Sequence, residues 1–148
     1  FQSKLKLFKM CKTGIVNADD LHGAKIPNLF PDSNITTYGI DNFANVLAKD
    51  ITITNAYVDF KVKITDRNER IKVDIPGRFS VYNSLAAISV ALYYGCSPEI
   101  IKTALENITS ALSLSVNEQA SACKKLRLGC SSLAFFSISG DASIPSVS

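Results

Sequence analysis

"IPGRFSVYNSLAAISVALYYG", residues 75–95, leaves an alternating segment, turns a Pro76–Gly77 corner and enters a run of small and apolar residues. The spacing predicts a helix from about Ser80 to Tyr94, with Gly95 at the C′ position where helices adopt left-handed backbone. A glycine ending a strand leaves room for another group beside the backbone. The helix start beyond it offers unpaired N–H groups and positive dipole character. Asn83 falls in the first turn of this helix as the sequence predicts it. Its planar amide carries one donor side and one acceptor side, the pair that reads the N6–H₂ and N7 edge of adenine. The same residue would equally serve as a capping or surface amide, so the residues alone leave both readings open.

Working outward, "SPEIIKTALENI" starts a second helix, with Ser97 as N-cap, Pro98 at N1 and Glu99 in the first turn. A loop this short predicts that the two helices pack together. Before the corner, "AYVDFKVKI" alternates, with Val58, Phe60, Val62 and Ile64 on one side and Asp59, Lys61 and Lys63 on the other. "TDRNER" is a polar turn, and "IKVDI" alternates again through Ile71, Val73 and Ile75. This is an antiparallel hairpin with one wet face, and "DITIT" ahead of it predicts a third strand. Further back, "FQSKLKLFKM" fits the end of a helix, and "TGIVN" and "NITTYGI" are short strands. Between these strands, Asp19 or Asp20 is placed to cap a short, irregular helix over "LHGAKIPNLF". Helix, strand, helix, strand is the rhythm of a βαβ sheet with helices on its faces. The expected fold class is therefore α/β: a mostly parallel sheet flanked by helices, with a three-stranded antiparallel subsheet.

Composition narrows the function. Apolar residues make up 47% of 148 positions, enough for one domain with a core. Sixteen basic against 13 acidic residues leave a net charge of +3, scattered rather than clustered, so nucleic acid is not an expected partner. No apolar run approaches a membrane span and the N-terminus does not resemble a signal peptide, so a cytoplasmic protein without membrane association is expected. Cys11, Cys96, Cys123 and Cys130 show no C-x-x-C spacing, and with His22 the lone histidine there is no zinc constellation. Residues 107–148 hold 11 serines against 6 in residues 1–106, and this shift marks a boundary near residue 108.

"IPGRFSVYNSLAAISVALYYGCSPEIIKTALENI", together with "TGIVNADD" and "TYGIDNFANVLAKDI" in the same order, closely resembles the Mur ligase family. Its members are ATP-dependent enzymes that join amino acids to the peptidoglycan precursor. The "GRF-x-VYN-x-LAA" wording is similar to the branch adding the third residue, L-lysine or meso-diaminopimelate, to UDP-N-acetylmuramoyl-L-alanyl-D-glutamate. The resemblance covers residues 1–108 and implies the C-terminal part of the family's central P-loop-type ATP-binding domain, working as a monomer with ATP and Mg²⁺. It implies that Asn83 contacts adenine. Ser80 stands where the family usually has a second Asn, a departure that weakens that position as a nucleotide contact. It also implies that Lys4, in "FQSKLKLF", matches the lysine whose carbamate binds a second Mg²⁺. Carbamylation turns a cation into an anion with two hard oxygen ligands, which Mg²⁺ prefers. Arg78 either reaches a phosphate or fixes the corner, and is retained as a cofactor-binding candidate.

A G-x-x-x-x-G-K-[ST] loop does not occur in the sequence. The match to the family stops after Ile108, where "TSALSLSVNEQ" follows. The expectation is a piece of a ligase, inactive alone, with residues 109–148 a linker or frameshifted tail outside the native fold. Two other readings stay open. One is another ligase of the same fold, adding D-Ala-D-Ala or extending folate with glutamate; the other is a non-catalytic binding module.

Overall fold

The computed structural model describes residues 2–11, 13–108 and 133–136. Helix α1 (Gln2–Met10) leads into strand β1 (Thr13–Asn17). A 3₁₀ turn (Gly23–Lys25) and the one-turn helix α2 (Ile26–Leu29) connect β1 to β2 (Asn34–Gly39). Strands β3 (Val46–Ile53), β4 (Val58–Ile64) and β5 (Arg67–Val73) follow, then helices α3 (Arg78–Tyr93) and α4 (Pro98–Glu106), and last β6 (Leu133–Phe136). The sheet runs β5-β4-β3-β2-β1-β6. The pairs β6–β1, β1–β2 and β2–β3 are parallel, while β3–β4 and β4–β5 are antiparallel. The expected α/β sheet with a three-stranded antiparallel subsheet is what forms.

Local sequence explains each part. All five residues of β1 are buried, as a parallel strand covered on both faces requires. Its consecutive residues Ile15 and Val16 point to opposite faces. Ile15 joins the main core with Phe60, Ile71, Val81, Leu85 and Ile88, and Val16 joins a smaller core with Phe8 and Ile26. Helix α3 therefore covers one face of the sheet, and α1 with α2 covers the other. Gly14 makes the second layer possible, because a Cβ there would lie 2.6 Å from the Phe8 ring. The hairpin alternates as expected, with Val58, Phe60, Val62 and Ile64 all 2% exposed or less. A two-residue turn joins β4 to β5, and its first residue, Thr65, takes φ 54°, a left-handed value usual for glycine.

Helix α3 starts two residues earlier than the spacing predicts. Gly77 is its N-cap, at φ 94° and ψ 149°, and Arg78 opens the first turn. Ser80 has the chemistry of an N-cap, but its hydroxyl donates instead to the Pro76 carbonyl at 3.0 Å. Asn83 consequently lies in the second turn, beyond the unpaired N–H groups, and not in the first. The C-terminus is as expected: the Gly95 N–H donates to the Leu92 carbonyl and the Cys96 N–H to the Ala91 carbonyl. Those two bonds make a Schellman motif, with Gly95 at φ 74°. Ser97 caps α4, its Oγ accepting from the Ile100 N–H. Helix α4 leans chiefly on β5, with Lys102 3.5 Å from Glu69 and Arg67 paired with Glu99, and touches α3 less than the short loop suggests.

Residues 133–136 pair with β1 in parallel register, Thr13 opposite Leu133 and Val16 opposite Phe136. The rest of the Ser-rich segment, with Cys123 and Cys130, lies outside the described residues, and the expectation of a tail outside the native fold falls there. No helix among the described residues is long and apolar enough to cross a membrane.

Candidate functional site

A cleft of about 290 Å³ opens where the end of β5, the Pro76–Gly77 corner, the first two turns of α3 and the end of α4 meet. It lies at the small end of ligand pockets, which run roughly 300–1,000 Å³. Ile75, Phe79, Ala87, Leu105 and Ile108 give it apolar walls. Asn83 lines it too, with an exposed side chain that makes no hydrogen bond among the described residues. Ser80 and Ser84 also line it, but both hydroxyls are used, Ser80 on Pro76 O and Ser84 on Ser80 O at 2.8 Å. Ser80 is 8% exposed, so it offers a ligand little. The arrangement is a mostly apolar cleft with one free amide, which suits a heteroaromatic ring carrying a donor and an acceptor side by side.

Arg78 is one turn before Tyr82 on α3. Its guanidinium donates to Asp41 Oδ2 at 2.5 Å and lies 5.9 Å from the centre of the Tyr82 ring. The bond to Asp41 first, and then the Tyr82 hydroxyl, raise its pKa above the ordinary arginine value. The Arg78 guanidinium is thus paired with a carboxylate beside the corner.

Asp19 and Asp20 separate in role. Asp20 Oδ2 accepts from the backbone N–H of His22 and Gly23 at 3.0 and 2.6 Å, the local capping expected. Asp19 does not cap that turn. Its carboxylate reaches across the C-terminal mouth of β1 and β2 and accepts from the N–H of Ile40 at 2.6 Å and Asn42 at 2.7 Å. It also accepts from Asp41 N–H at 3.1 Å and from the Tyr82 hydroxyl at 3.0 Å. Gly39 leaves the space, since a Cβ there would stand 3.2 Å from Asp19 Oδ2. Burial alone would push the Asp19 carboxyl up, but the Ile40, Asn42, Asp41 and Tyr82 donors together hold it below the usual carboxylate range. For the Tyr82 phenol, burial is the largest cause and the Asp19 charge adds to it against Arg78, so its pKa stands above the ordinary value. Tyr82 thus remains the protonated donor of the pair. A single acid accepting backbone N–H groups from 23 residues away leaves little local signal; its place after a strand and the glycine ending the next strand are the only hints in the sequence.

Lys4 is the third residue of α1, in the layer across the sheet from α3. Asn83 and Arg78 share one helix, while the Lys4 side chain is outside the described residues. Among the described residues no group of three His, Cys, Asp or Glu side chains gathers as a metal site. The cleft lining therefore suits an adenine-like ring, and it contains no carboxylate to hold Mg²⁺.

A model of the Mur ligase middle domain matches residues 1–91. A UDP-N-acetylmuramoyl-L-alanyl-D-glutamate–2,6-diaminopimelate ligase of Caldanaerobacter subterraneus subsp. tengcongensis is 42% identical over 109 residues, 73% of this chain and 22% of that protein. Among solved structures, a UDP-N-acetylmuramoylalanyl-D-glutamyl-2,6-diaminopimelate–D-alanyl-D-alanyl ligase from Acinetobacter baumannii aligns at a TM-score of 0.57 and 26% identity. That alignment covers 64% of this chain and 21% of the other. A structure of a UDP-N-acetylmuramoyl-L-alanyl-D-glutamate–2,6-diaminopimelate ligase shares the fold at a TM-score of 0.60 and 22% identity, covering 72% of this chain and 23% of that one. The chain spans about a fifth of the length of the curated relatives it matches.

Proposed function

Because this chain belongs to the Mur ligase family, we propose that it is the adenine-reading part of an ATP-dependent ligase of peptidoglycan precursor synthesis. The reaction would add 2,6-diaminopimelate, rather than L-lysine, to UDP-N-acetylmuramoyl-L-alanyl-D-glutamate. The choice of amino acid rests on the name of the 42% identical relative. The observation that carries the nucleotide reading is the unpaired Asn83 amide on the wall of an apolar cleft.

Adenine would slide between the Phe79 side and the Leu105 side, trading its hydration for apolar contact. Asn83 Oδ1 accepts from N6–H and Nδ2 donates to N7, so the amide that now faces solvent gains two partners. Arg78, held by Asp41, keeps the corner in shape rather than touching a phosphate. When bound, ATP would supply the γ-phosphoryl group that activates the D-glutamate γ-carboxylate as an acyl phosphate, leaving ADP; the incoming amine would attack the acyl carbon, lose a proton and expel phosphate to form the amide. Lys4 is the proposed Mg²⁺ ligand: its neutral amine adds to CO₂, forming an N–C bond and losing a proton, and becomes a carbamate anion. The three proposed site residues have separate roles, with Asn83 on the base, Arg78 on the corner and Lys4 on the metal. The protein is proposed to act in the cytoplasm, as a monomer.

The test is a protein-observed NMR titration of the 148-residue chain with adenosine and with inosine, which has a carbonyl in place of the amino group. Asn83→Ala is expected to lower adenosine affinity about tenfold, the loss of a bidentate pair worth roughly 1–3 kcal/mol. Equal affinity of both nucleosides for the wild-type chain would overturn the reading.

A further inference from the structure

We propose that Tyr82 is a positioning residue whose hydroxyl, bonded to Asp19, holds the turn of α3 that carries Asn83; this rests on the adenine reading of Asn83. Successive residues on a helix are about 100° apart, so Tyr82 faces the mouth of the sheet while its neighbour faces the cleft. Any slide or rotation of α3 moves both side chains together.

Little else on this part of α3 resists that motion through polar contacts. The hydroxyls of Ser80, Ser84 and Ser89 donate to carbonyls of Pro76, Ser80 and Leu85, all on or beside the same helix. None of these bonds ties the helix to the sheet. Among the described residues two side-chain bonds tie it to the loops that end β2 and β1: Arg78 to Asp41, and Tyr82 to Asp19. The first joins side chains that are 50% and 64% exposed, where water and salt weaken an ion pair. The second is part-buried and ends on a carboxylate already anchored by three backbone N–H groups. A hydrogen bond to a charged group in such a setting is stronger and better oriented than the exposed pair. Asp19 is rigid because Ile40, Asp41 and Asn42 hold it, and Tyr82 passes that rigidity to α3.

Tyr82→Phe tests this, because it removes one oxygen and keeps the ring beside Arg78. Adenosine and inosine are titrated into the wild-type chain, Tyr82→Phe, Asn83→Ala and a control, Ile26→Ala, which lowers stability from the smaller core on the face of the sheet away from α3. The expected result is an adenosine-over-inosine preference that falls about tenfold in Tyr82→Phe, as for loss of one hydrogen bond to a charged group, and is kept in Ile26→Ala. If Asn83→Ala loses the preference and Tyr82→Phe keeps it, the positioning role is wrong and the adenine reading stands. If Ile26→Ala loses the preference as well, general softening accounts for the effect and the positioning role is again wrong. A wild-type chain without any preference overturns both.

Discussion

Asp19→Asn removes a charge that four donors converge on, and the structure sets the size of the effect. The Asp19 carboxylate accepts from three backbone N–H groups and one phenol. Hydrogen bonds to a charged acceptor contribute roughly 1.5–3 kcal/mol each when buried. Asp41 and Asn42 are exposed, so water replaces much of what their N–H groups lose. Ile40 N–H and the Tyr82 hydroxyl are part-buried and carry most of the cost. Asn retains one acceptor oxygen but turns an NH₂ group toward donors, so the expected loss at pH 7 is about 2–3 kcal/mol. For a domain of this size that corresponds to a Tm lower by roughly 10–20 °C. The pH dependence gives a second signature. The Asp19 pKa is lowered in the folded chain from an ordinary value of 3.8. Its stabilisation is therefore complete above that ordinary value and is lost as pH falls through the lower folded value. Wild type and Asp19→Asn should differ most at neutral pH and converge on acidification below about pH 4. Urea unfolding followed by circular dichroism at several pH values measures both. A difference under 0.5 kcal/mol at pH 7, or one that stays constant into acid, would refute the reasoning.

Gly77→Ala isolates a backbone cost, because nothing lies within 4 Å of the added Cβ while φ is 94°. Stability should fall by about 1–3 kcal/mol in thermal unfolding, the usual cost of a non-glycine residue in such backbone; an unchanged Tm would mean that α3 starts elsewhere. Lys4→Met tests the proposed carbamate: in ¹³C-labelled bicarbonate the wild-type chain should show a carbamate carbon resonance that the variant lacks. The same resonance in both would assign the carbamate to another amine.

Much of the fold was legible because its signals are local. The alternation of Val58, Phe60, Val62 and Ile64 needs only the pleat, and all four are buried. Gly95 and Ser97 mark a helix end and a helix start by their own backbone and side-chain chemistry, and both do so here. The start of α3 lies two residues before the one the spacing predicts, because Gly77 takes the cap while Ser80 bonds back to Pro76. That shift of two residues changes the meaning of Asn83: it does not share the N–H groups of the helix end but stands on the cleft wall one turn on. The Asp19 clamp was hidden for another reason. Its partners are 21, 23 and 63 residues away, and only the assembled sheet with α3 on it brings them together. The cleft was illegible for the same reason, since its walls come from β5, α3 and α4.

The most direct measurement is a heteronuclear NMR titration of the ¹⁵N-labelled chain with adenosine, following the side-chain amide of Asn83. Adenine bound as proposed moves both Asn83 Nδ2–H signals and the backbone signals of Phe79, Ala87, Leu105 and Ile108, and gives a nuclear Overhauser contact from Asn83 Nδ2–H to the adenine C8 proton. Saturating shifts that leave the Asn83 amide unmoved would contradict it, and would place the base on another surface.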